Sequence, residues 1–121
     1  MTAKAAATIR KLSDLSGIGK AMLVDFEQLG VASVAQLARC EAGELYVRMC
    51  EISGSRQDPC VYDTYRCAIE QARNPDLEPD KRNWWYWSRV RKSEGLSVDA
   101  LLATGGSRRR SVRKSASSRP R

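Results

Sequence analysis

The run Leu15-Ser-Gly-Ile-Gly-Lys20 sets two glycines one residue apart, then a lysine that opens an amphipathic stretch reaching Gly30. Gly17 and Gly19 lack a Cβ, so both can take positive φ and both let another backbone come close. A helix starting just after Gly19 leaves its first N–H groups unpaired at the positive end of its dipole. Such an end binds anions, and a nucleic-acid phosphate is the obvious one. Ile18 is the apolar residue between the glycines, and Lys20 adds a full charge. Met22, Phe26 and Leu29, at i, i+4 and i+7, give the helix a face to pack on a core. Arg10 and Lys11 are the other cations near the turn. This chemistry holds phosphates and reads no base.

Trp84, Trp85 and Trp87 hold all the tryptophan of the chain. On a helix Trp84 and Trp87 share a face, while Trp85 points well away. The spacing predicts Trp84 and Trp87 buried as a lid, against Tyr62 or Tyr65. Trp85 is then left exposed, flanked by Arg82 and Arg89, where it could stack an unpaired base.

Cys40, Cys50, Cys60 and Cys67 are spaced 10, 10 and 7 residues apart, with no Cys-x-x-Cys pair. They read as reduced thiols that pack as small hydrophobes, which fits a cytoplasmic setting better than a disulfide frame or a zinc site. The alternative gathers Cys50, Cys60 and Cys67 into a thiol cluster for metal or redox sensing. The chain has no histidine, so the commonest general base and the usual partner of a nucleophilic cysteine are absent. The expectation is no enzyme, no cofactor and no metal.

The 121 residues have room for one core, and no apolar run is long enough to span a membrane. The N-terminus carries no long apolar stretch of the secretory kind. The formal charge of +7 is uneven. Seven of the 21 basic residues, among them Arg108, Arg109, Arg110, Arg113 and Lys114, lie in residues 105–121, which have no acid. Removing them leaves 14 basic against 14 acidic residues, so the rest of the chain is formally neutral. A helical domain over residues 8–104, followed by a disordered Arg/Ser-rich tail over 105–121, is the organisation expected. Any nucleic-acid contact by the domain must be local.

The elements that would position these residues all read as helices. Thr8 can cap a first helix carrying Ile9, Leu12 and Leu15. Gly30 ends the helix after the glycine turn. Ser33 with Gln36 forms a capping box for another, with Val34 and Leu37 inward. A helix from about Glu41 to Ile52 buries Leu45, Met49 and Ile52, and Gly54 closes it. Asp58-Pro59 is an N-cap and first-turn proline for the next, whose Val61, Tyr65, Ala68, Ile69 and Ala72 share a face. Pro79 or Asp80 opens a helix holding the tryptophans, and Leu96, Ser97 and Leu101 staple a last short helix ending at Gly105. No segment alternates at period two, so the fold class is all-α with no strand.

The glycine turn between two amphipathic segments resembles the helix-hairpin-helix motif, which grips DNA through its backbone. Ile52-Ser-Gly54 echoes Leu15-Ser-Gly17, so the chain is similar to a tandem pair of such hairpins straddling one duplex. In the second copy Ser55 and Arg56 replace the apolar residue and second glycine, leaving Arg56 to reach a phosphate as a side chain; the alternative is an ordinary loop over residues 53–57. Leu-Ser-Gly-Ile-Gly-Lys20, Glu-Leu-Tyr-Val-Arg-Met-Cys50, Asp-Pro-Cys60, Tyr-Arg-Cys67-Ala and Trp-Trp-x-Trp87 together resemble a small bacterial family, the pathogenicity-locus or mitomycin-resistance-like proteins. The likeness spans about residues 9–91. It implies a helix-hairpin-helix protein and no particular mechanism.

Two functional classes follow. One is non-sequence-specific DNA binding through Gly17, Ile18, Gly19, Lys20, Arg10, Lys11 and Arg56, helped by the tail. The other is an adapter that docks a protein partner without touching DNA.

Overall fold

The computed structural model describes residues 10–104. Their regular structure is six α-helices and two 3-10 turns, with no strand among the described residues. A 3-10 turn at Leu12–Asp14 leads to α1 (Lys20–Leu29), α2 (Val34–Ala38), α3 (Ala42–Ser53) and α4 (Pro59–Arg73). A second 3-10 turn, Pro79–Arg82, precedes α5 (Trp84–Ser93) and α6 (Val98–Thr104). The all-α class expected from the sequence is the one adopted.

Helix ends sit where local chemistry puts them. Gly30 and Gly54 close α1 and α3 at φ of 80° and 76°, a region that strains any residue with a Cβ. The Asp58 carboxylate accepts from the Cys60 N–H at 3.0 Å, and Pro59 follows it as the first helical residue. Ser33 Oγ accepts from the Gln36 N–H at 3.1 Å, but the Gln36 side chain returns to the Ala32 N–H, one residue outside the expected box. Ser97 Oγ accepts from the Asp99 N–H at 3.2 Å at the start of α6.

The core is organised along α4, against which α2, α3 and α5 all pack. Its stripe of Tyr65, Ala68, Ile69 and Ala72 is buried in one cluster with Phe26, Leu37, Leu45, Tyr46 and Met49. The rings of Phe26 and Tyr65 lie 5.9 Å apart, and Tyr46 meets Tyr62 edge-on at 6.4 Å. Asp63 is fully buried and joins α4 to α5 through a bidentate pair with Arg91, at 2.8 and 3.1 Å. Three arginines close helix C-termini from a distance, where carbonyls have no partner within the helix. Arg48 donates to Leu29 O, Arg73 to Ala38 O and Cys40 O, and Arg10 to Gln71 O and Ala72 O.

Several expectations are corrected. The segment before the hairpin is one 3-10 turn, not a helix, among the described residues; Thr8 and Ile9 lie outside them. Asp14 Oδ2 accepts from the Lys11 N–H at 2.8 Å, closing that turn, and Leu15 then extends into the core. Ile52 is 46% exposed rather than buried, because Tyr46 and Cys50 take the inward positions at that end of α3. The Tyr46 hydroxyl donates to Gln57 O, and the Gln57 N–H meets Cys50 Sγ at 3.3 Å, folding the following loop over the same side. The tryptophan helix begins at Trp84 and not at Pro79 or Asp80, since extended Asn83 separates it from the 3-10 turn. Trp84 is exposed, contrary to its angular kinship with Trp87. It is the first residue of α5, one turn before Trp87, Ser88 and Arg91 seat that helix on α4.

Candidate nucleic-acid interface

The hairpin is built from two anchors and an open tip. Leu15 is buried in the core cluster and Ile18 packs against it half-buried, while Gly17, Gly19 and Lys20 are exposed. The Ile18 N–H donates to Leu15 O at 3.3 Å, which makes the turn tight. Gly17 stands at φ +84°, the left-handed conformation that glycine alone takes without strain. Gly19 does not need that freedom. It is the N-cap of α1 at φ −99° and ψ −170°, ordinary extended backbone. A Cβ at either glycine would meet nothing within 4 Å, so this stretch of backbone faces open space.

Ser16 is held between these anchors by a buried glutamine of α4. Gln71 Oε1 accepts from the Ser16 N–H at 2.9 Å, and Gln71 Nε2 donates to Ser16 O at 3.0 Å. Gln71 is a residue that the sequence reading missed. Its signal was present: a polar side chain on the apolar stripe between Ala68 and Ala72.

The N-terminal end of α1 carries no side-chain cap. The Leu23 N–H reaches Gly19 O at 3.0 Å, whereas the N–H groups of Lys20, Ala21 and Met22 have no acceptor among the described residues. Three donors and the dipole of a ten-residue helix therefore meet beside a bare glycine backbone, with exposed Lys20 as the first helical residue.

The other cations named from the sequence are placed differently. Arg10 turns inward to the carbonyls ending α4, while Lys11 is exposed at the turn before the hairpin. Arg56 lies in the loop after α3 and pairs with Asp99 of α6 at 2.7 Å. Arg66, to which the sequence assigned no role, pairs with Glu94 at 3.0 Å and lies over the Trp87 ring at 5.0 Å. Arg108, Arg109, Arg110, Arg113 and Lys114 lie outside the described residues. Among the described residues the side chains of Lys11, Lys20, Arg39, Arg89 and Lys92 have neither a carboxylate nor a hydrogen-bond partner, although Arg89 lies over the Trp85 ring.

Trp87 is buried as expected, with its Nε1 donating to Lys81 O at 2.7 Å and its ring edge-on to Tyr86 at 5.0 Å. Trp85 is exposed as expected, beneath the Arg89 guanidinium at 4.7 Å. Arg82 turns back to Leu77 O at 2.7 Å.

All four cysteines are free thiols, and each has its own surroundings. Cys50 accepts from Gln57 N, Cys67 lies between Lys81 O and the Gln71 amide, and Cys40 Sγ reaches Gln36 O. Burial pushes the thiols of Cys40, Cys60 and Cys67 up, Cys67 to about 11, so they are poor thiolates at neutral pH. No group of three His, Cys, Asp or Glu among the described residues is placed to hold a metal ion. No helix among them is long and apolar enough to cross a membrane.

Fold and site define a small all-helical domain with an open glycine hairpin braced on its central helix. The chain matches the Pathogenicity locus family over residues 5–93 and belongs to that family. It is also similar to a protein named mitomycin resistance protein McrB from Streptomyces lavendulae. The two are 36% identical over 81 residues, which cover 67% of this chain and 73% of the relative. No solved structure matches the chain.

Proposed function

We propose that this protein is a cytoplasmic DNA-binding module that holds the phosphate backbone at Gly17–Lys20 and reads no sequence. The observation that carries the reading is the conjunction at one spot of uncapped N–H donors, bare glycine backbone and the unpaired Lys20. Segment 12–29 then acts as a helix-hairpin-helix whose first helix is shortened to a 3-10 turn. Lys11 joins it at the rim. Arg10 serves by bracing the hairpin, and Arg56 reaches a phosphate only by leaving Asp99. The basic residues of 105–121 add affinity by counterion release and no specificity. No catalytic step and no cofactor enter this reading.

A second reading is supported by one specific observation. Most arginines of the described residues are engaged within the fold, and residues 1–104 are formally neutral. That suits an adapter docking a protein partner. Titrating duplex DNA with the full chain and with residues 1–104 separates the two. The hairpin offers about two or three phosphate contacts, so residues 1–104 should show log K against log salt with a slope of about −2 to −3. Absence of binding by residues 1–104 in low salt favours the adapter.

A further inference from the structure

Trp85, Arg89 and Lys92 recur at i, i+4 and i+7 on α5 and form a single exposed stripe. Trp84 and Trp85 are 43% and 44% exposed, an unusual amount of indole for so small a domain to leave in water. An adjoining face of the helix is the seated one, with Trp87 and Ser88 buried and Arg91 held by Asp63. α5 contains no acidic residue. Arg91 is neutralised by Asp63, whereas Arg89 and Lys92 have no carboxylate within ion-pair distance among the described residues. The stripe is thus aromatic and positive on a domain that is formally neutral as a whole. An apolar partner helix would have to desolvate two cations there, and an acidic peptide would leave the Trp85 indole unused. An unpaired nucleic-acid strand offers flat π-faces and phosphates together, and matches both features.

We propose that the outer face of α5 binds single-stranded nucleic acid, a base stacking on Trp85 and phosphates meeting Arg89 and Lys92. This deepens the nucleic-acid reading by naming the form of strand, but it rests on a surface separate from the hairpin. The two surfaces lie at the same end of α4. α5 runs back along α4, with Arg91 at Asp63 and Trp87 at Arg66, so its tryptophan end lies toward Cys67 and Gln71. Gln71 is the residue that holds Ser16 of the hairpin.

The test uses the full chain, its tryptophan fluorescence and three probes: single-stranded oligodeoxythymidine, a blunt duplex of equal length, and polyglutamate. Oligodeoxythymidine should quench the fluorescence. Trp85→Ala should lose about tenfold in affinity for it, with duplex affinity unchanged and much less lost in melting temperature than in Trp87→Ala. Gly19→Asp should do the reverse, weakening the duplex and keeping the single-strand quench. The proposal is overturned if Trp85→Ala binds oligodeoxythymidine as the parent does. It is equally overturned if polyglutamate quenches as strongly, which would make the stripe a site for acidic proteins. A Gly19→Asp variant that binds duplex normally, beside a Trp85→Ala variant that loses oligodeoxythymidine, sinks the hairpin reading and supports this one.

Discussion

Gln71 clasps Ser16 across 55 residues of sequence, its amide oxygen taking the Ser16 N–H at 2.9 Å and its amide nitrogen giving to Ser16 O at 3.0 Å. Both backbone groups of the residue just before Gly17 are thereby fixed to the central helix. Arg10 reinforces the link from the other side of the turn by donating to Gln71 O and Ala72 O. The hairpin is exposed, yet its root is as firmly placed as the core.

Gln71→Ala should therefore cost stability and function together. Two partners at Ser16 lose their bonds, and the loss should be about 1–3 kcal/mol in a urea titration. Duplex affinity should fall as the hairpin loosens. Lys20→Ala, by contrast, should leave stability within about 0.5 kcal/mol while also weakening binding.

The Asp63–Arg91 pair makes the opposite kind of prediction, large in stability and remote from the hairpin. Asp63→Ala leaves the largely enclosed Arg91 guanidinium without its carboxylate and should cost about 3–5 kcal/mol. Replacing both partners by apolar residues, Asp63→Leu with Arg91→Met, should recover much of that loss. Chemical denaturation of the three variants checks the order.

Trp87→Ala should destabilise by about 3–5 kcal/mol, because it empties a buried site and strands Lys81 O. Trp84→Ala and Trp85→Ala should each cost much less than Trp87→Ala, since Trp84 and Trp85 keep 43% and 44% of their surface in water and empty no closed site. Thermal melts of the three single variants separate the buried ring from the exposed pair.

What the sequence made legible here is what neighbours along the chain decide. Gly30, Gly54 and Asp58-Pro59 ended and started helices by their own backbone chemistry, and the 3.6-residue stripe on α4 named its buried face. The local geometry of the candidate site was legible to the same depth, in the turn at Gly17 and the start of α1 after Gly19. What brings the hairpin to α4 was not, because Ser16–Gln71 and Arg10–Ala72 join residues 55 and 62 apart. Arg56 looked free for the same reason, its partner Asp99 being 43 residues on. Trp84 and Ile52 had the right helical angle but the wrong height, at a helix end where the packed neighbour stops. Periodicity gives the angle and is silent on the height.

Stability should also respond to alkaline pH. Burial raises the Cys67 thiol from 9.0 to about 11, and raises the Tyr62 and Tyr65 hydroxyls, with Tyr46 pushed up to about 12. A group raised on folding keeps its full contribution below its unfolded pKa and loses it as pH climbs through the folded value. Stability should thus hold from neutrality to about pH 9, then decline through about 11 as Cys67 is reached, with the tyrosines extending the decline. Urea midpoints across that range should fall less steeply in Cys67→Ala.

Gly19→Asp on duplex DNA addresses the phosphate reading most directly. The backbone at Gly19 is extended, a Cβ there meets nothing, and aspartate is a better N-cap than glycine by a few tenths of a kcal/mol. The variant should fold at least as stably as the parent while its carboxylate takes the donors and the space that the proposal gives to a phosphate. Fluorescence anisotropy with a labelled duplex should show affinity lost about equally on unrelated sequences, with a shallower salt slope than the parent. An equally stable Gly19→Asp protein that binds duplex with the parent's affinity and salt slope would contradict phosphate binding at this hairpin.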